Sequence, residues 1–475
     1  MKGQFVNRTR ELVALHDWWQ RGARPGLVWG RRRAGKTAIL QHFAADLGVR
    51  AVFHSGARRA VTQELAVLSR RAAAITSRGR RDLDMRPYQD WEDALDHLAE
   101  QAETEPLLLV LDEFPELIHT SPDLPGILRA FLDRPEGLAK LRLVLCGSAV
   151  RTMQVIQEQR APLYGRFDLT LQVHPFEPHE AAEMLTDLKP ADRALVYGLI
   201  GGTPLYLSWW DQRVPLEENL WNLTCRPGAP LLTEGDLILA TEVEEAGDYP
   251  AAVLQAIASG KTRYQEIAEV IGANPTRTLD RLLKLRLIER LRPVTERDNR
   301  TKRACYRVMD NLLRFHLGIL TRYREEIERG LGESILPPLV RKLDNYMGAP
   351  YEEAFRAYLR RAAVEGTLGP DVVAIGPWWD NTSGHEIDAV VLAEPDLTRL
   401  PVLVGEAKWG QSVNGARSRA GLTAKATHLT KDVSALRYAV CARNEVTHAD
   451  GDMLSVTAAD IFSIGRTTLR QKTTS

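Results

Sequence analysis

Residues 30–37 read Gly-Arg-Arg-Arg-Ala-Gly-Lys-Thr, between an apolar stretch, Leu27-Val28-Trp29, and a helical stretch over 37–47. The spacing is that of a phosphate-binding loop, G-x-x-x-x-G-K-[ST], which connects a strand to a helix. Its glycines let backbone N–H groups surround phosphate oxygens, and the helix turns its positive N-terminal end toward the anion. We expect the Lys36 ammonium to reach the β- and γ-phosphates and the Thr37 hydroxyl to ligate Mg²⁺. The predicted nucleotide-binding residues of the loop are Gly30, Arg31, Arg32, Arg33, Ala34, Gly35, Lys36 and Thr37.

A second apolar run supplies the other half of this nucleotide site. Residues 107–111 predict a buried strand, and Asp112 and Glu113 follow directly at its C-terminal end. Open α/β sheets bind ligands at that edge. We expect Asp112 to hold an Mg²⁺-bound water and Glu113 to polarise the water that attacks the γ-phosphate. Paired with the loop, the two acids indicate nucleotide hydrolysis.

Two further polar residues are candidates for the same site. A third apolar strand, 143–146, is followed by Gly147 and Ser148, and Ser148 is a candidate contact for the γ-phosphate or an ordinary strand end. Arg166 follows a turn at 162–165. An arginine beside the γ-phosphate stabilises the charge of the transition state, whereas an exposed arginine forms a surface salt bridge. The sequence leaves both roles open for Arg166.

Length and alternation predict several domains around an α/β core. At 475 residues, the chain is long enough for about three domains. Short β-type runs alternate with helical stretches over residues 1–160, which predicts a mostly parallel sheet covered by helices.

Composition excludes several classes of protein. Lys plus Arg and Asp plus Glu each number 62, so net charge provides no general attraction to nucleic acid or to anionic membranes. No apolar run approaches the roughly 20 residues of a membrane helix, and we therefore expect no membrane association. The four cysteines lie far apart without metal-binding spacing, which predicts reduced thiols and a cytoplasmic protein.

Together these motifs resemble the archaeal-type ATPase family, within the AAA+/STAND group of P-loop NTPases. The resemblance runs over essentially the whole chain, with its parts in the same order. It implies ATP binding and hydrolysis, with Arg8 near the nucleotide and Arg166 as a sensor or finger residue, in cis or in trans. Three consecutive arginines in the loop depart from the usual composition of the family. The matching segments are Phe5–Arg8 with Glu11-Leu12, Gly30–Thr37, Leu111–Phe114, Cys146–Ser148, Pro162–Arg166, His174–Phe176 and Gly201–Pro204.

Residues 249–310 predict a small unit of three helices followed by a hairpin, and the resemblance implies a winged helix here. Such a unit places its third helix in the major groove of DNA. Winged helices also serve as rigid connectors between domains, so DNA contact and a linking role both stay open. The hairpin would have its tip at Asp298–Arg300. The side chains that the third helix would offer to DNA are Thr276, Arg277, Thr278, Arg281 and Lys284.

The C-terminal region carries acidic and basic residues in the pattern of a metal site. Asp388 begins or lies within an apolar strand, and Glu406 and Lys408 share one face of the next, because side chains alternate along a strand. Carboxylate oxygens suit Mg²⁺ or Mn²⁺, which would polarise a phosphodiester and lower the pKa of a water. Lys408 would orient that water or neutralise phosphate charge.

This pattern resembles the PD-(D/E)xK nuclease superfamily. The resemblance implies that Asp388 and Glu406 are metal ligands and that Lys408 is catalytic. The upstream Glu352 matches the acidic helix residue of Holliday-resolvase-like members, and the adjacent Glu353 is the alternative match for that residue. Three interpretations stay open: an active nuclease, a nuclease fold used only for binding, and an unrelated surface.

The sequence thus predicts a multidomain α/β protein with a P-loop NTPase parallel sheet, a helical lid, a winged helix and a C-terminal α/β restriction-endonuclease-like domain. We expect ATP, with Mg²⁺, to control a metal-dependent DNA nuclease that uses Mg²⁺ or Mn²⁺, with DNA as partner and self-association through the ATPase domain. The alternative is a nucleotide-gated switch or DNA-binding regulator whose nuclease-like domain is catalytically silent. The predicted domains are 1–173 (ATPase core), 174–248 (lid), 249–310 (winged helix), 311–345 (helical linker) and 346–465 (nuclease-like domain).

Overall fold

The structure, a computed structural model, describes residues 5–21, 24–75, 81–134, 140–242, 249–296, 303–380 and 384–465. The chain divides into two compact units, an N-terminal unit, Met1–Pro175, and a C-terminal unit, Phe176–Ser475. All four cysteines have free thiols. Within the described residues, no helix combines the length and the apolar character that crossing a membrane requires.

The N-terminal unit is built on a five-stranded sheet whose strands all run parallel, in the spatial order β2-β3-β4-β1-β5. The predicted parallel sheet covered by helices is therefore confirmed. Its strands are β1 (Gly26–Trp29), β2 (Arg50–Ser55), β3 (Leu107–Asp112), β4 (Leu141–Gly147) and β5 (Leu169–Gln172). Its helices are α1 (Thr9–Arg21), α2 (Lys36–Leu47), α3 (Val61–Ala73), α4 (Trp91–Thr104), α5 (Phe114–Thr120), α6 (Leu124–Leu132) and α7 (Val150–Val155).

Strand β3 shows why this sheet needs helices on both faces. All six of its residues are buried, and they alternate between two separate apolar cores. Leu109 and Leu111 belong to the core on one face, whereas Leu108 and Val110 belong to the core on the other. A strand buried on both faces reads as a continuous apolar run, which is the pattern that parallel sheets share. Asp112 is the last residue of this strand and therefore lies at the C-terminal edge of the sheet.

The C-terminal unit begins with helices and includes a short antiparallel hairpin, β6 with β7. One apolar core passes through residues from all three of the predicted lid, winged-helix and linker segments, including Leu199, Leu254 and Phe315. The elements are α8 (Pro178–Ala182), α9 (Pro190–Ile200), α10 (Pro204–Trp209), α11 (Leu216–Leu220), a π-helical turn (Trp221–Cys225), α12 (Pro230–Glu242), α13 (Pro250–Ala258), α14 (Tyr264–Ile271), α15 (Thr276–Lys284), β6 (Ile288–Leu291), β7 (Cys305–Val308), α16 (Asn311–Gly318), a 3₁₀ turn (Leu320–Tyr323), α17 (Arg324–Glu328), α18 (Gly332–Tyr346) and α19 (Gly348–Val364).

A mixed five-stranded sheet follows, in the order β14-β12-β10-β9-β8, and completes the predicted multidomain α/β architecture. Strands β8, β9 and β10 form an antiparallel meander, whereas β10, β12 and β14 run parallel. Helix α19 packs on one face of this sheet and α20 on the other. The elements are β8 (Val372–Trp379), β9 (Glu386–Ala393), β10 (Leu400–Lys408), β11 (Ser412–Asn414), α20 (Gly415–Ala426), β12 (Arg437–Ala442), β13 (Glu445–Thr447), β14 (Met453–Thr457) and α21 (Ala458–Ile461).

An ionic cluster around Glu353 joins helix α19 to the hairpin. The Glu353 carboxylate accepts hydrogen bonds from Arg307 of β7 at 2.8 Å, from Arg356 at 2.9 Å and from Arg360 at 2.8 Å. Arg307 also pairs with Glu289 of β6. Burial raises the pKa of Glu353, but the three guanidinium groups outweigh it and hold that pKa well below its usual range. The cluster therefore stabilises α19 only while Glu353 is ionised.

We expect Glu353→Gln to lower the free energy of unfolding of the C-terminal unit by about 2 kcal/mol, because it leaves three arginines with one carboxylate fewer in a partly buried cluster. Scanning calorimetry of the full chain measures the change. The matched control is Glu365→Gln, which removes an exposed carboxylate just after the same helix and should change stability by less than about 0.5 kcal/mol. Equal effects of the two substitutions would contradict a stabilising role for the cluster.

Candidate nucleotide site and carboxylate cluster

The phosphate-binding loop lies between β1 and α2, and its glycines meet specific backbone demands. Gly30 has a φ of +155°, and a Cβ at this position would lie 2.2 Å from the carbonyl oxygen of Val173. Gly35 has a φ of 92° directly before α2 begins. Only glycine adopts these conformations without strain or collision. Among the three arginines of the loop, Arg32 is exposed, whereas Arg31 and Arg33 are half-buried.

Lys36 is buried at the start of α2, inside the curve of the loop. Its ammonium donates to the carbonyl oxygens of Gly30 and Arg31, both at 3.0 Å. Burial lowers the pKa of Lys36, while the neighbouring acidic groups, Asp112 and Glu113 among them, oppose that shift. A buried ammonium held only by carbonyl oxygens is a ready partner for an anion that enters the loop.

The loop and strand β3 meet directly. The Thr37 hydroxyl donates to Asp112 Oδ2 at 2.7 Å, and the backbone N–H of Glu113 donates to Asp112 Oδ1 at 3.0 Å. A hydroxyl and a carboxylate in contact form an oxygen-rich pair, which is the donor chemistry that Mg²⁺ prefers. The residues present therefore fit the cation that a phosphate-binding loop of this kind uses.

Glu113 and Ser148 form a contact that the sequence did not indicate. The Glu113 carboxylate accepts hydrogen bonds from the Ser148 hydroxyl at 2.8 Å and from its backbone N–H at 3.3 Å. Strands β3 and β4 are neighbours in the sheet, so the residues that follow them come together at one edge. A sequence pattern does not reveal which strands are adjacent, and this pairing was therefore missed.

Arg8 and Arg166, the two predicted arginines outside the phosphate-binding loop, have different environments. Arg8 is buried, and its guanidinium donates to the carbonyl oxygens of Ala34 and His174, both at 2.8 Å, and to Glu11. It thus supports the backbone of the loop.

Arg166 forms a bidentate ion pair with Asp133, from Nε to Oδ1 at 3.0 Å and from Nη2 to Oδ2 at 2.9 Å. It also donates to the carbonyl oxygens of Pro162 and Tyr164. In this structure Arg166 forms the salt bridge that the sequence analysis left as the alternative to a nucleotide contact.

The carboxylates of the predicted nuclease-like site come from three elements: Asp388 from β9, Glu406 from β10 and Glu352 from α19. Asp388 Oδ2 accepts the backbone N–H of Ala407 at 2.8 Å. Arg356, which was missed from the sequence, donates to the carbonyl oxygen of Asp388 at 2.7 Å. The antiparallel register of β9 and β10 places Asp388 beside the Glu-x-Lys stretch.

Glu406 is held by two lysines, one predicted and one missed. Lys408 Nζ lies 3.3 Å from Glu406 Oε2, and Lys425 Nζ lies 3.2 Å from Glu406 Oε1. Lys425 belongs to α20, and only the packing of that helix on the sheet brings it to Glu406. A lysine on a helix 17 residues after Lys408 carries no local signal of this contact.

The three carboxylates influence one another. Burial and the charge of Asp388 raise the pKa of Glu352 to about 7. Burial and the charge of Glu406 likewise raise the pKa of Asp388, against the hydrogen bond from Ala407. Glu353 instead belongs to the arginine cluster of α19, so Glu352 is the helix carboxylate that faces Asp388.

These oxygen donors have the chemistry that Mg²⁺ or Mn²⁺ requires. However, the described part of the chain contains no group of three His, Cys, Asp or Glu side chains placed closely enough to hold a metal ion. The predicted residues are thus neighbours. Their carboxylate oxygens contact protein groups, namely the Ala407 N–H at Asp388 and two lysines at Glu406.

The predicted DNA-facing helix, α15, exposes Thr276, Arg277, Arg281 and Lys284. The prediction for Thr278 was wrong, because this residue is buried beside Leu279 on the inner face of the helix. A threonine between Arg277 and Leu279 gives no sign of which way it faces until the helix is packed. The predicted hairpin tip, 298–300, lies outside the described residues.

Two family models match the chain. Residues 5–209 match an ATPase domain found predominantly in Archaea, which confirms the archaeal-type ATPase prediction. Residues 316–419 match a family described as archaeal and bacterial proteins of unknown function. The second match assigns no activity to the C-terminal unit.

Individual relatives extend these matches. An uncharacterized protein of Methanocaldococcus jannaschii is 26% identical over 412 residues, which cover 85% of this chain and 87% of that protein. A Walker-type ATPase of Pyrococcus abyssi has a TM-score of 0.50 and 18% identity, covering 66% of this chain and 96% of its own. The ORC2 protein of Aeropyrum pernix has a TM-score of 0.46 and 14% identity, covering 71% and 98%. The likeness to the Pyrococcus protein indicates a shared fold.

The raised pKa of Glu352 predicts a pH dependence of stability. Between pH of about 4.5 and 7 the folded state keeps a proton on Glu352 that the unfolded state releases, so stability falls as pH rises through this window. Glu352→Gln removes this slope. We expect its unfolding temperature to match that of the wild type at pH 4 and to exceed it at pH 8, as measured by circular dichroism. A lower unfolding temperature at pH 8 would contradict the assignment.

Proposed function

We propose, from the premise that residues 5–209 form an archaeal-type P-loop ATPase domain, that ATP at the N-terminal unit controls a metal-dependent DNA nuclease in the C-terminal unit. The premise rests on the family match. The observation that carries the nuclease part is the meeting of Glu352, Asp388, Glu406 and Lys408 beside one sheet. These four residues come from three elements and follow one another in the chain order that the PD-(D/E)xK resemblance implies, which supports the proposal.

The contacts in the N-terminal unit support a separate role in ATP hydrolysis for each of the predicted residues. Lys36 would leave its two carbonyl partners for the β- and γ-phosphates of ATP, and Thr37 and Asp112 would hold Mg²⁺ or its bound water. Glu113, which now accepts from Ser148, is the base that polarises water once a γ-phosphate draws Ser148 away. Arg8 holds the loop in shape through Ala34.

In the C-terminal unit the carboxylates of Glu352, Asp388 and Glu406 are the proposed metal ligands. A bound Mg²⁺ or Mn²⁺ would supply Lewis acidity and a water of lowered pKa. Lys408, with its side chain 53% exposed, can move from Glu406 to the phosphodiester and neutralise charge there. The Ala407 N–H fixes the orientation of Asp388.

DNA is the proposed partner of this unit, and residues 249–310 are proposed to act as its winged helix. The support is the row of exposed cations, Arg277, Arg281 and Lys284, on α15. Cations on a helix that fits the major groove suit contacts with the phosphate backbone. With a formal net charge of zero over the whole chain, such local cations must supply the attraction.

A second candidate function is a nucleotide-gated switch whose C-terminal unit binds DNA or a protein and cuts nothing. The observation that favours it is the pairing of Glu406 with two ammonium groups, Lys408 and Lys425. A carboxylate neutralised in this way is stable without a cation. The cleavage experiment below separates the two functions.

Hydrolysis of ATP tests the N-terminal site. We expect Lys36→Ala to weaken ATP binding about ten- to hundredfold, because charge-assisted bonds to phosphate are lost. Glu113→Gln should keep ATP binding and lower kcat about hundredfold or more, because the general base is lost. Fluorescent nucleotide titration and phosphate release measure the two effects. The matched control, Glu116→Gln, removes a nearby carboxylate that pairs with Arg58. Equal kcat values for Glu113→Gln and Glu116→Gln would contradict the assignment.

Cleavage of linear, branched and single-stranded DNA with Mg²⁺ or Mn²⁺ tests the C-terminal site. Asp388→Asn keeps an acceptor for the Ala407 N–H but removes the charge, and we expect it to lower cleavage about hundredfold or more while ATP hydrolysis persists. Asp396→Ala, in the exposed loop after β9, is the control and should cleave like the wild type. If the wild-type protein hydrolyses ATP but cuts none of these substrates, the nuclease proposal is wrong and the nucleotide-gated switch is favoured.

A further inference from the structure

Arg314, on helix α16, carries a guanidinium group to which the protein offers no hydrogen-bond acceptor. The side chain is half-buried, and its Cζ lies 5.8 Å from the centre of the Tyr346 ring. Within the described part of the chain, this guanidinium forms neither a hydrogen bond nor an ion pair with another residue. An arginine side chain has five N–H donors, so all of these donors are left for solvent or for a ligand.

The arginines around Arg314 are engaged by protein groups. Arg307 and Arg356 donate to the carboxylate of Glu353, at 2.8 and 2.9 Å. Arg356 also donates to the carbonyl oxygen of Asp388 at 2.7 Å. These contacts explain why Arg307 and Arg356 are charged residues, whereas no contact of this kind explains the charge of Arg314.

The surroundings of Arg314 disfavour its positive charge. Burial lowers the pKa of Arg314, and the guanidinium groups of Arg307 and Arg356 lower it further, against the opposite effects of Tyr346 and Glu352. A partly buried cation that lies near like charges and has no ion pair costs stability. Stability therefore gives no reason for an arginine at this position, whereas a bound anion would offset the repulsion.

Arg314 lies near the carboxylates of the proposed nuclease site. Burial and the charge of Asp388 raise the pKa of Glu352, and the charge of Arg314 is among those that oppose this shift. Glu352 Oε2 lies 3.8 Å from Arg356 Nη1, and the side chain of Glu352 is 34% exposed, so this part of α19 is open to solvent. An anion that approaches Glu352 from solvent is thus near a guanidinium whose donors are all unused.

We propose that Arg314 binds a phosphate group of a DNA strand beside Glu352 and Asp388. The inference rests on the proposed function, in which DNA is the partner of the C-terminal unit, but it requires no bound metal ion. A planar guanidinium can donate two parallel N–H bonds to two phosphate oxygens, and every nucleotide of a strand presents such a group. Arg314 is then a DNA-binding residue in addition to the cations of α15, and it positions the strand near the carboxylates.

Fluorescence anisotropy of labelled duplex and single-stranded DNA tests the proposal, with the full chain in EDTA and without nucleotide. We expect Arg314→Met to weaken binding about tenfold, which is the scale of a charge-assisted hydrogen bond. The slope of log K against log salt concentration should become shallower by about 0.9 on duplex or about 0.7 on single-stranded DNA, which is the value of one lost phosphate contact. Arg314→Lys keeps the charge and should keep the slope.

The matched control is Arg322→Met, which removes an exposed arginine of the 3₁₀ turn after α16 and should change neither affinity nor slope. Circular dichroism separates binding from folding. Because Arg314→Met removes an unpaired charge, its unfolding temperature should equal or exceed that of Arg322→Met. A folded Arg314→Met with the affinity and salt slope of Arg322→Met would overturn the proposal, and so would an unfolding temperature clearly below that of the control.

The same measurements distinguish failure of the inference from failure of the proposed function. If the wild-type protein binds no DNA, the DNA partner is wrong and the inference is overturned with it. If Arg281→Met weakens DNA binding and Arg314→Met does not, the DNA partner stands and the role of Arg314 is wrong.

Inorganic phosphate separates a DNA strand from a free anion as the ligand of Arg314. The proposal predicts that DNA affinity differs between the wild type and Arg314→Met. If inorganic phosphate raises the unfolding temperature of the wild type but not of Arg314→Met, and both bind DNA equally, the ligand is free phosphate and the proposal is overturned.

Discussion

Burial of ionised side chains is the constraint on which both candidate sites depend, because a charge removed from water must find a partner inside the protein. In the N-terminal unit the Lys36 ammonium rests on two carbonyl oxygens, Asp112 accepts the Thr37 hydroxyl, and Glu113 accepts from Ser148. These charged and polar groups of the predicted nucleotide site are thus already paired within the protein. In the proposed function, a nucleotide with Mg²⁺ would replace these partners, and that exchange would free Glu113 to polarise water.

The buried carboxylates of the C-terminal unit also depend on partners inside the protein, and each of them has different ones. Glu353 is held by three arginines and keeps its charge, whereas burial and the charge of Asp388 raise the pKa of Glu352. Glu406 is balanced by Lys408 and Lys425. Two adjacent residues on one helix therefore have opposite electrostatic roles, which are set by the elements that each one faces.

Within the C-terminal unit, the first helices are tied to the sheet that carries the carboxylates. Arg193 of α9 is buried and donates to the carbonyl oxygens of Leu185, Thr186 and Phe462, at 2.9, 2.9 and 3.0 Å. A Cβ on Gly198 of the same helix would lie 2.4 Å from the sulfur of Met347, so the helices there are in close contact. Helix α9 is therefore in direct contact with the segment after α21 and with Met347 between α18 and α19.

Sequence reasoning succeeded where the signal is local. The phosphate-binding loop is a contiguous motif, and β3 reads as an apolar run because both of its faces are buried. The contacts that the sequence missed all depend on tertiary packing. Ser148 meets Glu113 because β3 and β4 are neighbours, and Lys425 meets Glu406 because α20 packs on β10.

Two other residues show the same limit. Thr278 is buried only because α15 packs its inner face against the helical core. Arg166 pairs with Asp133, which lies 33 residues earlier at the end of α6. Neither outcome has a signature in the neighbouring sequence, since each depends on which surface the folded chain brings into contact.

Control of the carboxylate site by nucleotide is the central claim, and single-turnover DNA cleavage by Glu113→Gln tests it most directly. We expect this variant to bind ATP and to hydrolyse it about hundredfold or more slowly, so that nucleotide occupancy is separated from turnover. The account predicts that saturating ATP changes the cleavage rate of Glu113→Gln about tenfold or more and leaves that of Lys36→Ala unchanged. Equal cleavage rates with and without ATP in Glu113→Gln would contradict it.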